Sequence, residues 1–146
     1  MENESKKTGG IFVMVFEMPL EQLKTYMGTN PCPPDFDEYW QQALKEMDDV
    51  DPQVEIVRET SIEAPYAECY NLYFTGVKGA RIRVQLIKPK KIEEPCPAIL
   101  SFHGYSWYSG DWSDKFGLVA AGFIVAAMDV RGQTGYSEDV GGVKGN

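Results

Sequence analysis

Two short apolar segments with a helical segment between them constrain the fold more than any other feature of the sequence. Ala98–Phe102 and Phe123–Asp129 are mostly apolar without alternation, which is typical of buried strands. Trp112–Ala121 has the length of a helix, with Asp111 as its capping residue and Gly122 at its end. Strand, helix and strand in this order predict a βαβ unit with parallel strands and a right-handed crossover.

An antiparallel hairpin is predicted before this unit. Glu68–Thr75 and Ala80–Lys88 have strand composition, and Gly76–Gly79 between them is a typical hairpin turn. Val54–Thr60 is predicted as a further strand. Because the second hairpin strand alternates, we expect one buried and one solvent-exposed face, formed by Ile82, Val84 and Leu86 and by Arg83 and Gln85 respectively.

Two helices are predicted upstream of the strands. Pro19 begins a short helix that ends at Gly28, and a proline-rich link follows it. An amphipathic helix is predicted from about residue 36 to 48, with Asp35 as its N-cap. Its apolar stripe is expected in the core and comprises Phe36, Tyr39, Trp40, Ala43, Leu44 and Met47.

A hairpin that leads into a βαβ unit begins a larger doubly wound sheet, so the fold class is predicted as α/β. Residues 1–15 are expected to form a loose extension, and residues 16–146 the N-terminal part of a longer domain. The reason is Phe123–Asp129, which is apolar on both faces although no later segment of the chain completes its cover.

Charge and hydropathy argue against several classes of function. The 146 residues include 14 basic and 22 acidic side chains, and the net charge of −8 argues against a nucleic-acid or anionic-membrane surface. No apolar run approaches the roughly 20 residues of a membrane span. Because the N-terminus does not match a signal peptide, we expect a cytoplasmic protein.

The sequence offers little to a metal or cofactor. His103 is the single histidine, and Cys32, Cys69 and Cys96 match neither a zinc site nor a disulfide framework. The three cysteines are expected to be buried free thiols. Neither a Walker motif nor G-x-G-x-x-G occurs. We therefore expect no metal and no cofactor.

The loops after the two predicted parallel strands are the candidate site, because ligands bind beyond the carboxyl ends of strands in open α/β sheets. These loops are His103–Asp111 and Val130–Gly142. The first begins with His103-Gly104-Tyr105, where a glycine would allow a tight turn. α/β-Hydrolases place an oxyanion-hole N–H in such a loop. The local sequence leaves two interpretations open: an oxyanion donor, or a structural turn with a satisfied core histidine.

No complete catalytic triad is predicted within the chain. Ser106 and Ser137 lie in motifs that approach G-x-S-x-G, but both motifs lack the closing glycine. Either serine would depend on His103 as its base. Asp129 and Arg131 flank the end of the second apolar strand, and we expect an ion pair or hydrogen bonds there that order the loop.

Five stretches that follow one another along most of the chain carry a resemblance to a known family. They are Met18–Glu21, Pro34–Trp40, Phe74–Ile82, Phe102–Tyr105 and Met128–Gln133. In this order they resemble the acetyl xylan esterase and cephalosporin-C deacetylase family, the seventh carbohydrate esterase family.

The resemblance implies an α/β-hydrolase longer than this chain, with a Ser-His-Asp triad downstream of Asn146. Such enzymes remove acetyl groups from xylo-oligosaccharides and cephalosporin C, and they assemble as hexamers. The resemblance assigns the backbone N–H of Tyr105 to the oxyanion hole and to substrate binding. It also implies structural roles near the site for His103, Gly104, Arg131, Gly132 and Gln133.

The sequence therefore predicts the N-terminal portion of a cytoplasmic, homo-oligomeric serine esterase that acts through an acetyl-enzyme. The alternative is a non-catalytic module, truncated or split, that binds a partner chain through its open sheet edge. A natural stop after Asn146 would favour the module.

Overall fold

The computed structural model describes residues 18–92 and 94–141, and the chain divides into two compact units at Phe36. The first unit contains helix α1, Leu20–Leu23. It ends before the predicted Gly28 because the following amides bond three residues back, as in the turn from Tyr26 N–H to the Leu23 carbonyl. The predicted extension over residues 1–15 lies outside the described residues.

Helix α2, Phe36–Asp48, begins at the last residue of the first unit and otherwise belongs to the second unit, and it has the predicted bounds. Its apolar stripe is not in the core, however, and this expectation was wrong. Tyr39 is 65% exposed and Leu44 is 52% exposed, and α2 has no buried residue. The physical reason is that helical periodicity determines which face is apolar but not what packs against that face.

In the part of the chain that the structure describes, five strands form one mixed sheet in the order β1-β2-β3-β5-β4. The pair β4 and β5 is parallel, as predicted, and the other neighbours are antiparallel. The strands are β1 Glu55–Arg58, β2 Ala67–Thr75, β3 Arg81–Pro89, β4 Ala98–Phe102 and β5 Ile124–Met128. A 3₁₀ turn over Val77–Gly79 closes the predicted β2–β3 hairpin.

The strand order corrects two expectations about burial. Strand β5 lies between β3 and β4, and its Val125 and Ala127 are buried, so Phe123–Asp129 is not the uncovered strand. Strand β4 was expected to be buried, but it lies at the edge of the sheet with Leu100 62% and Phe102 58% exposed. The reason is that β3 pairs with the second parallel strand and leaves the first outside.

The predicted solvent-exposed face of β3 is also buried. Arg83 is 6% exposed and Gln85 is 3% exposed. Loop residues cover them: the Gln85 side-chain amide donates to the Gly110 carbonyl at 3.0 Å, and Arg83 lies against Trp112. Burial of these polar groups is possible because most of their hydrogen-bonding capacity is satisfied by protein atoms.

The connection between β4 and β5 contains a 3₁₀ turn, Trp112–Lys115, and helix α3, Phe116–Ala120. Asp111 is the N-cap residue of this turn, as predicted, and its N–H donates to the Asp114 carboxylate at 3.0 Å. Gly122 has φ +95° just after α3, which is the left-handed conformation that glycine adopts at helix ends. The single predicted helix is thus split into two short pieces.

The core lies between α3 and the sheet and includes Cys69, Ile87, Val119 and Val125. All three cysteines are free, but Cys69 alone is buried, whereas Cys32 is exposed and Cys96 is half-buried. Burial raises the pKa of the Cys69 thiol. Within the described part of the chain, no helix has the length and apolar content needed to cross a bilayer.

Candidate functional site

The loops that follow β4 and β5 meet beyond the carboxyl ends of these strands, because parallel strands bring their carboxyl ends together. Two hydrogen bonds join them directly. The Val130 N–H donates to His103 Nε2 at 2.9 Å, and the Ser106 N–H donates to Gln133 Oε1 at 2.6 Å. The structure thus brings together the two motifs that the sequence analysis placed near the site.

His103 is engaged through both of its ring nitrogens. Nε2 accepts from Val130, so it carries no proton, and Nδ1 donates to the Gly104 carbonyl at 2.8 Å. This arrangement requires the neutral tautomer that is protonated on Nδ1. His103 is therefore a brace between the loops in this structure rather than the partner of a serine.

Neither candidate serine forms a nucleophile–base pair among the described residues. The Ser137 hydroxyl accepts from the Arg83 N–H at 2.8 Å, and the Ser106 amide is bound to Gln133. Ser106 has φ +56°, a left-handed conformation that is uncommon for a non-glycine residue. The tight turn after β4 therefore occurs at Ser106. Gly104, where it was expected, does not have a positive φ.

Tyr105 lies between these anchored residues and is 75% exposed. The chain is anchored on both sides of Tyr105, at His103 and at Ser106. The assignment of its backbone N–H to an oxyanion hole stays a prediction.

Asp129, immediately after β5, is the most buried charged group of the site, with no exposed surface. Its Oδ1 accepts from the Ser109 N–H at 2.7 Å, and its Oδ2 accepts from Arg83 Nη1 at 3.1 Å and the Tyr136 N–H at 3.2 Å. Burial by itself would raise the pKa of this carboxyl, but the hydrogen bonds from Ser109, Arg83 and Tyr136 outweigh burial and hold the pKa below its ordinary value.

Arg83 is the residue of this site that sequence reasoning missed. Its guanidinium lies 5.4 Å from the Trp112 ring centroid and 5.0 Å from that of Tyr136. Its Nε donates to Asn71 Oδ1 at 2.9 Å. The alternation of β3 indicated a solvent-exposed face, and the available signal was an arginine at a central strand position that lacks an acidic neighbour in sequence.

Arg131 pairs with Asp139 rather than with Asp129. Its Nη2 lies 3.3 Å from Asp139 Oδ1, and its Nη1 donates to the Val77 carbonyl at 3.0 Å. Gly132 has φ +70°, and a Cβ at this position would lie 3.2 Å from Asp139 Oδ2. Arg131 thus links the second loop to Asp139 and to the β2–β3 turn, and the structural roles near the site assigned to Arg131 and Gly132 stay predictions.

A cleft of about 800 Å³ opens beside the two loops, on the face of the sheet that carries Arg83 and Gln85. Its walls include the rings of Tyr73, Trp112 and Tyr136. No cluster of three or more His, Cys, Asp or Glu side chains with the spacing of a metal site occurs in residues 18–92 and 94–141.

Comparison with known proteins places this arrangement in context. A family model described as acetyl xylan esterase matches residues 13–146. The structure of acetyl xylan esterase 1 from Thermoanaerobacterium sp. JW/SL YS485 is similar, with a TM-score of 0.79 and 61% identity over 90% of this chain and 41% of that one. The acetyl xylan esterase from Paenibacillus sp. R4 has a TM-score of 0.74 and 27% identity, covering 88% of this chain and 43% of that one.

A shorter similarity extends to dipeptidyl-peptidase 5 of Schizosaccharomyces pombe, with 32% identity over 76 residues, or 46% of this chain and 11% of that protein. The chain thus spans 41% and 43% of the two solved esterases and a smaller share of the peptidase. The mixed five-stranded sheet is consistent with the N-terminal part of an α/β-hydrolase, which confirms the predicted fold class.

Proposed function

This chain belongs to the acetyl xylan esterase family, and on that premise we propose that it is the N-terminal part of a serine esterase. The substrates that we propose are small acetylated carbohydrates, including xylo-oligosaccharides, and cephalosporin-C-like esters. The observation that best supports this proposal is the pair of mutually braced loops at the carboxyl ends of β4 and β5, which lie within the family match.

The reaction that we propose is acyl transfer through an acetyl-enzyme. The triad histidine takes the proton of a serine downstream of Asn146 as this serine attacks the acetyl carbonyl, whose π electrons move to oxygen. The oxyanion then collapses, the C–O bond to the sugar breaks, and the sugar alcohol leaves with the proton from the histidine. Water, deprotonated by the same histidine, attacks the acetyl-enzyme, and acetate leaves as the serine regains a proton. The contribution of this chain is the backbone N–H of Tyr105, donated to the oxyanion in both steps.

Two residues of the chain would keep that donor in place. The His103 and Gln133 side chains each tie one loop to the other, on either side of Tyr105 in the first loop. Removal of an oxyanion donor typically costs about 100- to 1,000-fold in kcat, so precise placement of this backbone segment is worth several kcal/mol at the transition state.

We also propose a cytoplasmic, homo-oligomeric protein, a hexamer by its resemblance to the family, without a nucleic-acid or membrane partner. The net charge of −8 supports the last point. Cell fractionation tests the location, and size-exclusion chromatography with light scattering tests the assembly.

The function is tested by a comparison of the full-length gene product with the 146-residue chain. We expect the full-length protein to release acetate from acetylated xylo-oligosaccharides and to hydrolyse p-nitrophenyl acetate, and the 146-residue chain to do neither. Ser106→Ala and Ser137→Ala variants of the chain are the controls, because turnover that either substitution abolished would put the nucleophile inside this chain.

A full-length protein that folds but releases no acetate would instead favour the non-catalytic alternative. The exposed edge of β4 is the feature that such a module would offer to a partner chain.

A further inference from the structure

We propose that Asp129 is a positioning residue for the oxyanion donor, because its single buried carboxylate fixes the loops after β4 and β5 in one relative position. This inference rests on the proposed function. It concerns how the site is held together, and it assigns no contact between Asp129 and the substrate.

The first step is that each loop donates a backbone N–H to the same carboxylate. Ser109, in the loop after β4, donates its N–H to Oδ1, and Tyr136, in the loop after β5, donates its N–H to Oδ2. Ser109 is 20 residues from Asp129 and Tyr136 is seven residues from it. A displacement of the carboxylate therefore moves both loops, although Ser109 and Tyr136 are far apart in the sequence.

The second step is that the carboxylate is itself anchored to the sheet. Arg83 on β3 pairs with Asp129 at 3.1 Å and donates through Nε to Asn71 on β2. The Asn71 side-chain amide donates in turn to Glu59, just after β1, at 3.0 Å. A continuous series of hydrogen bonds thus links the antiparallel strands to both loops, and charged groups in such a series bind more strongly than neutral ones.

The third step concerns why an aspartate is needed. Three N–H donors converge on two oxygens, so an amide would turn an NH₂ group toward one of the donors. Gly135 packs against the same carboxylate, since a Cβ at Gly135 would lie 2.8 Å from Asp129 Cγ. The charge of the side chain at position 129 is therefore specified, and so is the absence of a side chain at Gly135.

The last step connects Asp129 to Tyr105. The loop after β4 is held at His103, Ser106 and Ser109, and the attachment of the Ser109 N–H depends on Asp129. Lys115 and Gln85 hold the carbonyls of Ser109 and Gly110. Loss of the bond to the Ser109 N–H removes one of these attachments, so the segment next to Tyr105 can shift. Because an oxyanion donor acts mainly on the transition state, a shift of this kind lowers kcat more than it raises KM.

The test uses Asp129→Asn in the full-length protein with p-nitrophenyl acetate as the substrate. We expect kcat to fall about 10- to 100-fold while KM stays within about twofold. The matched control is Glu68→Gln, which removes the charge from a carboxylate that pairs with Lys88 at 3.0 Å on the antiparallel strands, and which should leave kcat unchanged.

A second readout separates positioning from general destabilisation. Hydrogen–deuterium exchange should become faster in peptides that cover residues 103–111 and 130–141 of the folded Asp129→Asn protein, and not in β2. Should Asp129→Asn fail to fold, Arg83→Lys is the second variant. It keeps the positive charge but loses the planar guanidinium group that binds Asn71 and Asp129 together. We expect its kcat to be about 5- to 10-fold below the wild-type value.

Each outcome decides one of the two proposals. Unchanged kcat in the folded variant, or a lower kcat with unchanged exchange in both loops, overturns the positioning role. Arg83→Lys with the wild-type kcat overturns it as well. A wild-type full-length protein without esterase activity overturns the proposed function instead, and loop exchange in Asp129→Asn then still reports whether the carboxylate holds the loops.

Discussion

At the scale of single residues, Gly135 has the least freedom to change. Its φ of +116° is accessible to glycine, and a Cβ at this position would collide with the Asp129 carboxylate. We expect Gly135→Ala to destabilise the full-length protein by about 2–4 kcal/mol, measured as a lower Tm and a lower urea midpoint. Gly79→Ala is the control, since Gly79 has φ +80° but open space around it, and about 1 kcal/mol is expected. Equal losses would mean that the contact with Asp129 contributes nothing.

Tyr105 tests the oxyanion assignment itself. Tyr105→Phe leaves the amide and the ring in place, so most of the activity of the full-length protein should remain. Tyr105→Pro removes the N–H and should lower kcat by about 100- to 1,000-fold. Circular dichroism must first show that the proline variant is folded. A folded proline variant with the wild-type kcat would return His103-Gly104-Tyr105 to the role of a structural turn.

The residues of the site could be predicted from the sequence where their chemistry is local. His103 follows directly after β4, Gly132 and Gln133 lie in the loop after β5, and their motifs indicated a site at the carboxyl ends. Arg83 could not be found in this way, because its partner is 46 residues away and its burial depends on loop residues that fold over β3. Asp129 was expected to pair locally, but the charge closest in sequence, Arg131, pairs with Asp139.

At the scale of secondary-structure elements, the edge position of β4 has a measurable consequence. Strand edges with exposed apolar side chains pair with other chains, so we expect the isolated 146-residue chain to self-associate at tens of micromolar despite its charge. Leu100→Lys should shift light scattering toward the monomer. Leu20→Lys is the control, because Leu20 is 67% exposed but lies in α1. A stable wild-type monomer, or an equal effect of both lysines, would contradict this prediction.

The elements themselves could largely be predicted, because their signals are periodic and short in range. The bounds of α2, the β2–β3 hairpin and the parallel pair all match the patterns in the sequence. Which residues are buried could not be predicted, because burial depends on strand order. The run Ala98–Phe102 is apolar enough for a central strand, yet the sheet places β5 between it and β3. The polar face of β3 was misjudged for the same reason, since its cover comes from a loop.

At the scale of the whole molecule, the buried Arg83–Asp129 pair makes stability depend on pH. The folded pKa of Asp129 is lowered, so the unfolded chain, with an aspartate pKa of about 3.9, binds the proton more readily. The stabilisation is therefore complete above about pH 5 and is lost as the pH falls through the folded pKa. Lys115, whose Nζ donates to the carbonyls of Ser109 and Asp111, is a second buried cation nearby, and burial lowers the pKa of its ammonium group.

We expect the unfolding free energy of the wild-type full-length protein to exceed that of Asp129→Asn by a constant amount above about pH 5. The difference should shrink as the pH falls below about 4. Urea denaturation at a series of pH values measures it. A difference independent of pH down to about pH 2 would mean that Asp129 has the same pKa in the folded and the unfolded protein, so that its hydrogen bonds do not favour the ionised carboxylate.

The separation of 46 residues between Arg83 and Asp129 in the sequence also affects the order in which the structure can form. The two charges can meet only after β3 has paired with β5, and each one buried alone is strongly unfavourable. A nascent chain that has formed the β2–β3 hairpin therefore gains nothing from closing the loops early. We therefore expect the site to assemble together with the centre of the sheet, so that Tyr105 is in place only once the strands around it are in register.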